Sequence, residues 1–135
     1  MSEADSLAAP AGFSRLHPPG KFVNRAGIFF IREEANGDNT VGAWIGEDQT
    51  NSEGFAHGGF LLAFADFAIS YTTMGVTLNL STDFLRPVRA GSWIEARIVE
   101  RKRSKHLIFA DAVAICDGHE LLRISGVFRP FEKKT

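Results

Sequence analysis

The sequence has very little cysteine: Cys116 is the one cysteine among 135 residues. A single cysteine cannot form an internal disulfide, and no group of Cys and His residues has the spacing of a zinc site. We therefore expect no metal site. The cysteine content also fits a reducing compartment, and we expect a cytoplasmic location.

The sequence also lacks an excess of charge and a long apolar run. Lys and Arg number 15 against 16 Asp and Glu, for a formal net charge of -1, so no overall field favours nucleic acid or an anionic membrane. The N-terminus has neither the basic start nor the apolar core of a secretory signal, and no segment reaches the roughly 20 apolar residues that span a bilayer. We expect neither a nucleic-acid nor a membrane partner.

Hydrophobic residues make up 44% of the chain, which suits one compact domain with a core of its own. Residues 1–20 contain three prolines and two glycines with little periodicity. This composition indicates a flexible lead-in. We expect residues 21–135 to form the single domain.

Hydrophobic periodicity predicts the order ββαββββ. Residues 26–34 and 40–46 resemble a hairpin, and the continuous apolar segment from Gly58 to about Thr73 is too long for a strand and favours a helix. Leu78, Leu80 and Phe84 alternate with polar residues in the next strand, and three more strands follow at about 91–101, 106–116 and 120–129. A helix that is apolar nearly all round must be enclosed, so we predict an α+β fold whose mostly antiparallel sheet curls around it.

Asp66 is the one formally charged residue between Phe55 and Thr82, and it falls in the middle of the predicted helix. An unpaired carboxylate in an enclosed helix costs several kcal/mol or takes up a proton. Asp66 is either a structural acid bonded to a neighbouring strand or a catalytic carboxylate at a cavity. The sequence pattern leaves both interpretations open.

His57, Gly58 and Gly59 stand at the predicted start of this helix. Free N–H groups and the positive end of the helix dipole stabilise developing negative charge, as in an oxyanion hole, whereas glycines at a helix start can also merely relieve crowding. Gly58 and Asp66 are eight residues apart, about 12 Å along a helix. If both act in one reaction, Asp66 must come from an antiparallel second copy, which predicts a two-fold dimer with two shared sites.

The spacing of Asn51, Gly54, His57-Gly58-Gly59 and Asp66 resembles the signature of hotdog-fold acyl-CoA thioesterases. The likeness is to the phenylacetate-pathway type within the 4-hydroxybenzoyl-CoA thioesterase superfamily. The later segment "GVTLNLSTDFLRPVRAGSWIEARIVE" also resembles the strand pattern of that family. The resemblance covers roughly residues 23–130 and implies a hotdog fold and thioester hydrolysis.

The resemblance implies a role for each matching residue. Asp66 corresponds to the general base or nucleophile, and the Gly58 N–H to the donor that polarises the thioester carbonyl. Asn51 orients the attacking group or its loop, His57 has a positioning role, and Thr77 matches a hydroxyl that assists the water or is a plain strand threonine. Gly59 is expected at the substrate. No cofactor is implied beyond the CoA of the substrate, and the family pairs homodimers into homotetramers.

Coenzyme A carries phosphates, which basic side chains bind. The sequence supplies Arg86, Arg89, Arg101, Arg103 and Lys105. Solvated strand ends explain such residues equally well. This sequence has Arg103-Ser104 where the family often has a glycine, so the resemblance does not predict the detailed shape of the CoA groove.

Two other functions are weighed against hydrolysis. A hotdog enoyl-CoA hydratase or dehydratase normally needs a catalytic histidine paired with an acid elsewhere, and no such matched pair is found here. A non-catalytic acyl-CoA sensor would keep the groove but has no need for Asp66.

Overall fold

The computed structural model describes residues 8–132. Its elements in chain order are β1 (Ser14–Arg15), α1 (Lys21–Ala26), β2 (Phe29–Glu33), β3 (Asn39–Trp44), a 3-10 turn (Glu47–Gln49), α2 (Gly58–Thr73), β4 (Gly75–Phe84), β5 (Trp93–Arg103), β6 (Ile108–Cys116) and β7 (His119–Pro130). The predicted order of two strands, one long helix and four strands is confirmed, with β1 and α1 added before it. No helix within these described residues combines the length and apolar character needed to cross a bilayer.

All seven strands form one antiparallel sheet in the order β1-β2-β3-β5-β6-β7-β4. The sheet curls around α2, and the predicted α+β arrangement is confirmed. Buried alanines on the inner faces of β5 and β6 oppose buried Ala65 and Ala68 of the helix. Because alanine is short, the helix lies close to the middle of the sheet, while larger side chains such as Phe64 and Phe128 fill the space on either side.

The N-terminal segment is attached to the outer face of the sheet. Ser14 and Arg15 pair with β2, and the Phe13 ring is buried with its centroid 5.0 Å from that of Trp93. Phe13, Phe30, Trp44 and Trp93 form an outer aromatic cluster. These contacts give residues 13–15 a defined place on the sheet, in contrast to the flexible lead-in that the proline content indicates. Residues 1–7 of that lead-in lie outside the described residues.

The helix α2 has the predicted bounds, but the expectation that it is enclosed on all sides is wrong. One face, made of Gly59, Leu62, Ala63, Asp66 and Ser70, is only partly covered. We call it the open face of α2. It is left uncovered because β4 is the edge strand of the sheet and no further strand continues past it.

A β-bulge interrupts the alternation that the sequence predicts for β4. The pairing with β7 shifts between Thr77 and Asn79, so Leu78 is the extra residue. A bulge reverses the direction of the side chains that follow it. Thr77 and Leu80 are therefore both half-buried, whereas Leu78, expected on one face with Leu80, is 54% exposed. Phe84 shares the face of Leu80 but is 55% exposed at the end of the strand.

The outer aromatic cluster depends on a glycine, Gly42 of β3. A Cβ atom at this position would lie 2.2 Å from Cζ2 of Trp93. We expect Gly42→Ala to lower the free energy of unfolding by about 1–3 kcal/mol, the usual cost of overpacking, in a urea titration. Gly20→Ala is the control, because a Cβ atom there meets nothing within 4 Å. Equal stability of the two variants would contradict the packing described.

Candidate active site

The loop before α2 is shaped by the side chain of Asn51. Its Oδ1 atom accepts hydrogen bonds from the backbone N–H groups of Glu53 and Phe55, at 2.9 and 3.1 Å. The Asn51 N–H in turn donates to the Phe55 carbonyl at 2.7 Å. The amide oxygen thus folds the loop, and the Nδ2 group is the part of this exposed side chain that remains for a ligand.

His57 is the N-cap of α2. Its Nδ1 atom accepts a hydrogen bond of 2.8 Å from the Gly59 N–H, which satisfies one of the donors that every helix start leaves unpaired. The Gly59 N–H is therefore already used inside the protein. The Gly58 N–H, in contrast, has no hydrogen-bond partner among the described residues.

The cap also explains why residue 59 is a glycine. A Cβ atom on Gly59 would lie 2.9 Å from Nδ1 of His57 and would push the imidazole away. A Cβ atom on Gly58 would be 3.6 Å from the Phe84 ring, an ordinary contact. The close approach of a side chain thus requires glycine at position 59, whereas position 58 has room for more.

Asp66 lies at the middle of α2, where its open face meets β4. The Thr77 hydroxyl donates a hydrogen bond to Oδ1 of Asp66, and both residues are half-buried. A hydroxyl fixes the direction of one carboxylate oxygen and leaves acceptor capacity on the other. The bulge at Leu78 follows Thr77 directly in the strand, and it places Thr77 on the same face of β4 as Leu80.

Gly58 and Asp66 do not meet within one chain. They are separated by two helical turns, about 12 Å along the axis. The structure therefore brings Asp66 together with Thr77, and it brings Asn51, His57 and Gly58 together at the start of α2. The protomer thus has two half-sites, one at the start of α2 and one at its middle.

The five basic residues fall into two groups at opposite ends of the helix. Arg86 and Arg89 follow β4 near the start of α2, where the Arg89 guanidinium lies 4.5 Å from the centroid of the Phe55 ring. The other three, Arg101, Arg103 and Lys105, lie at the end of β5 and in the turn after it. The 16 residues of α2 span about 24 Å, so one protomer cannot offer all five to one phosphate group.

Arg103 is engaged in the fold. Its Nη2 group donates to the carbonyl oxygen of Thr73 at the end of α2, at 2.7 Å, and to Oε1 of Glu100, at 2.6 Å. The hydrogen bond to Glu100 raises the pKa of the guanidinium above its ordinary value. Arg101 likewise pairs with Asp111 at 2.7 Å on the outer face of the sheet. Both arginines thus have partners within the protomer.

Comparison with known proteins places this architecture in a family. The model of the thioesterase superfamily matches residues 53–122, a segment that runs from the loop before α2 to the first third of β7. An inferred esterase of Pseudomonas aeruginosa is 31% identical over 130 residues, covering 90% of this chain and 97% of the relative. The chain belongs to the thioesterase superfamily.

Solved structures of other thioesterase-superfamily proteins have the same hotdog fold. A variant of the phenylacetic acid degradation protein PaaI from Thermus thermophilus is 29% identical with a TM-score of 0.71, covering 83% of this chain and 100% of that one. A hypothetical thioesterase from Streptococcus pneumoniae with coenzyme A has a TM-score of 0.73 at 17% identity, over 79% and 91% of the two chains. The expected resemblance to hotdog-fold thioesterases of the phenylacetic acid degradation type is confirmed.

Three features of this thioesterase-superfamily site were not found from its sequence. They are the use of the Gly59 N–H by His57, the bulge that directs Thr77, and the contact of Arg103 with the end of α2. A histidine before two glycines is a signal for the first, since a side-chain acceptor at the N-cap position bonds the N2 amide. The other two depend on contacts between separate elements and have no local signal. Among residues 8–132, no three His, Cys, Asp or Glu side chains come together as metal ligands would.

Proposed function

We propose that the protein hydrolyses acyl-CoA thioesters to a free carboxylic acid and CoA, with Asp66 as general base or nucleophile. The main observation behind the proposal is a carboxylate that the Thr77 hydroxyl orients on the open face of α2, a helix with no other charged residue. Membership of the thioesterase superfamily and the neighbour solved with coenzyme A support the same substrate class.

Both chemical routes begin with attack on the thioester carbonyl carbon. As a general base, Asp66 takes a proton from water while the water oxygen bonds to the carbonyl carbon. As a nucleophile, a carboxylate oxygen of Asp66 forms that bond itself, and water hydrolyses the resulting anhydride. In each route the carbon–sulfur bond breaks, CoA leaves as a thiolate, and the thiolate takes up a proton.

The Gly58 N–H is the proposed donor to the carbonyl oxygen. It has no hydrogen-bond partner among residues 8–132 and lies at the positive end of the α2 dipole, so it stabilises the negative charge that develops during attack. Asn51 and His57 act by holding this donor in place: Asn51 folds the loop, and His57 takes up the neighbouring Gly59 N–H. Because the Gly59 N–H is bonded to His57, Gly59 contacts the substrate through its other atoms.

The separation of Gly58 from Asp66 requires that two chains share each site. The edge strand β4 presents unpaired backbone groups together with exposed Val76 and Leu78, and exposed Leu85 follows it; these are the usual signs of an association surface. The open face of α2 lies beside it. An antiparallel two-fold dimer through these surfaces would place Gly58 of each chain near Asp66 of the other. We also propose that such dimers pair into a homotetramer.

The same two-fold axis accounts for the distribution of basic residues. Arg86 and Arg89 lie at the Gly58 end of one chain, and Lys105 lies at the opposite end. In an antiparallel dimer these ends come from different chains and meet at one site. We propose that Arg86, Arg89 and Lys105 contact CoA phosphates first, because Arg101 and Arg103 already have carboxylate partners.

Removal of the Asp66 charge tests the mechanism. Asp66→Asn keeps the shape and a hydrogen bond to Thr77 but cannot accept a proton or attack, so we expect turnover to fall about 10²–10⁴-fold. A thiol-trapping assay of CoA release measures it across short, long and aromatic acyl-CoAs. Asp83→Asn is the control, since Asp83 is an exposed carboxylate of the same strand as Thr77. Full turnover by Asp66→Asn would refute the role of Asp66, whereas tight binding of acyl-CoA by the wild type without CoA release would refute hydrolysis itself.

The oxyanion donor can be removed without a change in helix geometry. Gly58 is the first helical residue, where proline is tolerated, and ψ of His57 is 135°, within the range that a following proline requires. Gly58→Pro deletes the N–H, and we expect kcat to fall roughly 10²–10³-fold. Gly58→Ala keeps the N–H and has room for its methyl group, so it should stay active. Matching activities of the Ala and Pro variants would rule out this donor.

Mixing the two inactive variants tests the shared site. A heterodimer of Asp66→Asn with Gly58→Pro has one intact site of its two. Random subunit exchange or coexpression makes about half of the dimers heterodimers, so it should restore about a quarter of wild-type activity. Light scattering measures the oligomeric state of the wild type and of the mixture. Recovery of no activity from verified heterodimers would mean that both groups act within one chain, and a monomer in solution would remove the shared-site proposal.

A further inference from the structure

A cavity of about 550 Å³ lies between the N-terminal segment and the second half of α2. Leu16, the turn at residues 17–20 and Val23 of α1 form its roof. Phe67, Ser70, Tyr71 and Met74 form its floor, and Phe131 closes one side. Its volume falls within the range of about 300–1,000 Å³ typical of small-molecule sites.

The lining of this cavity is mostly apolar. Its lining residues include no Asp, Glu, Lys or Arg, and the Ser70 hydroxyl already donates to the Gly75 carbonyl. His17 is the one imidazole in the lining, and it lies at an exposed position of the roof. The floor is held in place by ring packing, since the Phe67 centroid lies 5.1 Å from that of Phe29 and 5.7 Å from that of Tyr71. Such walls suit an uncharged hydrocarbon group.

The cavity begins within one helical turn of Asp66. Phe67 follows Asp66 directly, and Ser70 is four residues further along the helix, where Cβ atoms are about 5–6 Å apart. A second cavity of about 370 Å³ lies at the start of α2, and its lining includes Arg25, Asp48 and His57. Charged side chains there suit polar parts of a ligand, so the two cavities differ in chemistry.

We propose that the apolar cavity binds the acyl group of the substrate, an unbranched or aromatic hydrocarbon of medium length, in the chain that supplies Asp66. This inference rests on the proposed acyl-CoA substrate. The N-terminal segment, which lies outside the residues matched by the family model, thereby sets acyl-chain length. Val23 is the main roof residue, because its half-buried side chain faces the cavity from α1.

Calorimetric titration with S-alkyl-CoA thioethers tests the cavity without any hydrolysis. In the full-length wild type we expect S-hexyl-CoA to bind more tightly than S-ethyl-CoA by up to about fourfold for each added methylene. Val23→Trp fills the cavity and should reduce S-hexyl-CoA binding to the level of S-ethyl-CoA, with S-ethyl-CoA binding unchanged. Lys21→Trp adds the same bulk to an exposed position of α1 and should keep the chain-length dependence.

Phe131→Ala provides a second variant in case the tryptophan disturbs folding. Phe131 is 47% exposed, so its loss should spare the fold but weaken S-hexyl-CoA binding several-fold. Phe109→Ala removes a ring that is 39% exposed on β6 and should have no such effect. If both thioethers bind equally well, or if both Val23→Trp and Phe131→Ala leave the length dependence intact, the cavity does not bind the acyl group even where hydrolysis is established. If length-dependent binding occurs without turnover, only the proposed reaction fails.

Discussion

The hydrogen bond from the Thr77 hydroxyl to the Asp66 carboxylate joins the middle of the central helix to the edge of the sheet. A carboxylate among apolar neighbours needs such a partner, because loss of hydration otherwise disfavours its charged form. The partner is available because the bulge at Leu78 allows Thr77 and Leu80 to face the same side of β4. The helix position, the strand register and the orientation of the acid are therefore fixed together.

Much of the fold can be predicted from the sequence because its periodicities are long and uninterrupted. The continuous apolar segment after His57 gives α2 its bounds, and the change to period two after Gly75 marks the first of four strands. Asp66 stands out for a similar reason, since no other formal charge lies between Phe55 and Thr82. Its interaction with a residue of a neighbouring strand was one of the two interpretations that the sequence left open.

The remaining features depend on contacts that local sequence does not encode. A one-residue bulge has no propensity signal, yet it moves Leu78 to the exposed side of β4. Arg103 belongs to a basic segment typical of a solvated strand end, but it bonds to the Thr73 carbonyl 30 residues away. The small strand β1 is held by Phe13 against Trp93, a contact across 80 positions of sequence. In each case tertiary packing outweighs intrinsic preference.

The partly covered face of α2 has a consequence for the electrostatics of the proposed site. In the protomer Asp66 is half-buried, so part of its side chain is open to solvent. Association across the open face would exclude water from the site, and lower local polarity would strengthen both the Thr77–Asp66 hydrogen bond and the interaction of the Gly58 N–H with the negative charge that develops on the carbonyl oxygen. Leu78, on the exposed side of the bulge, belongs to the surface that would associate, whereas Thr77 before it orients the acid. In the proposed dimer, therefore, the geometry that directs the carboxylate and the surface that excludes water from it arise from the same bulge.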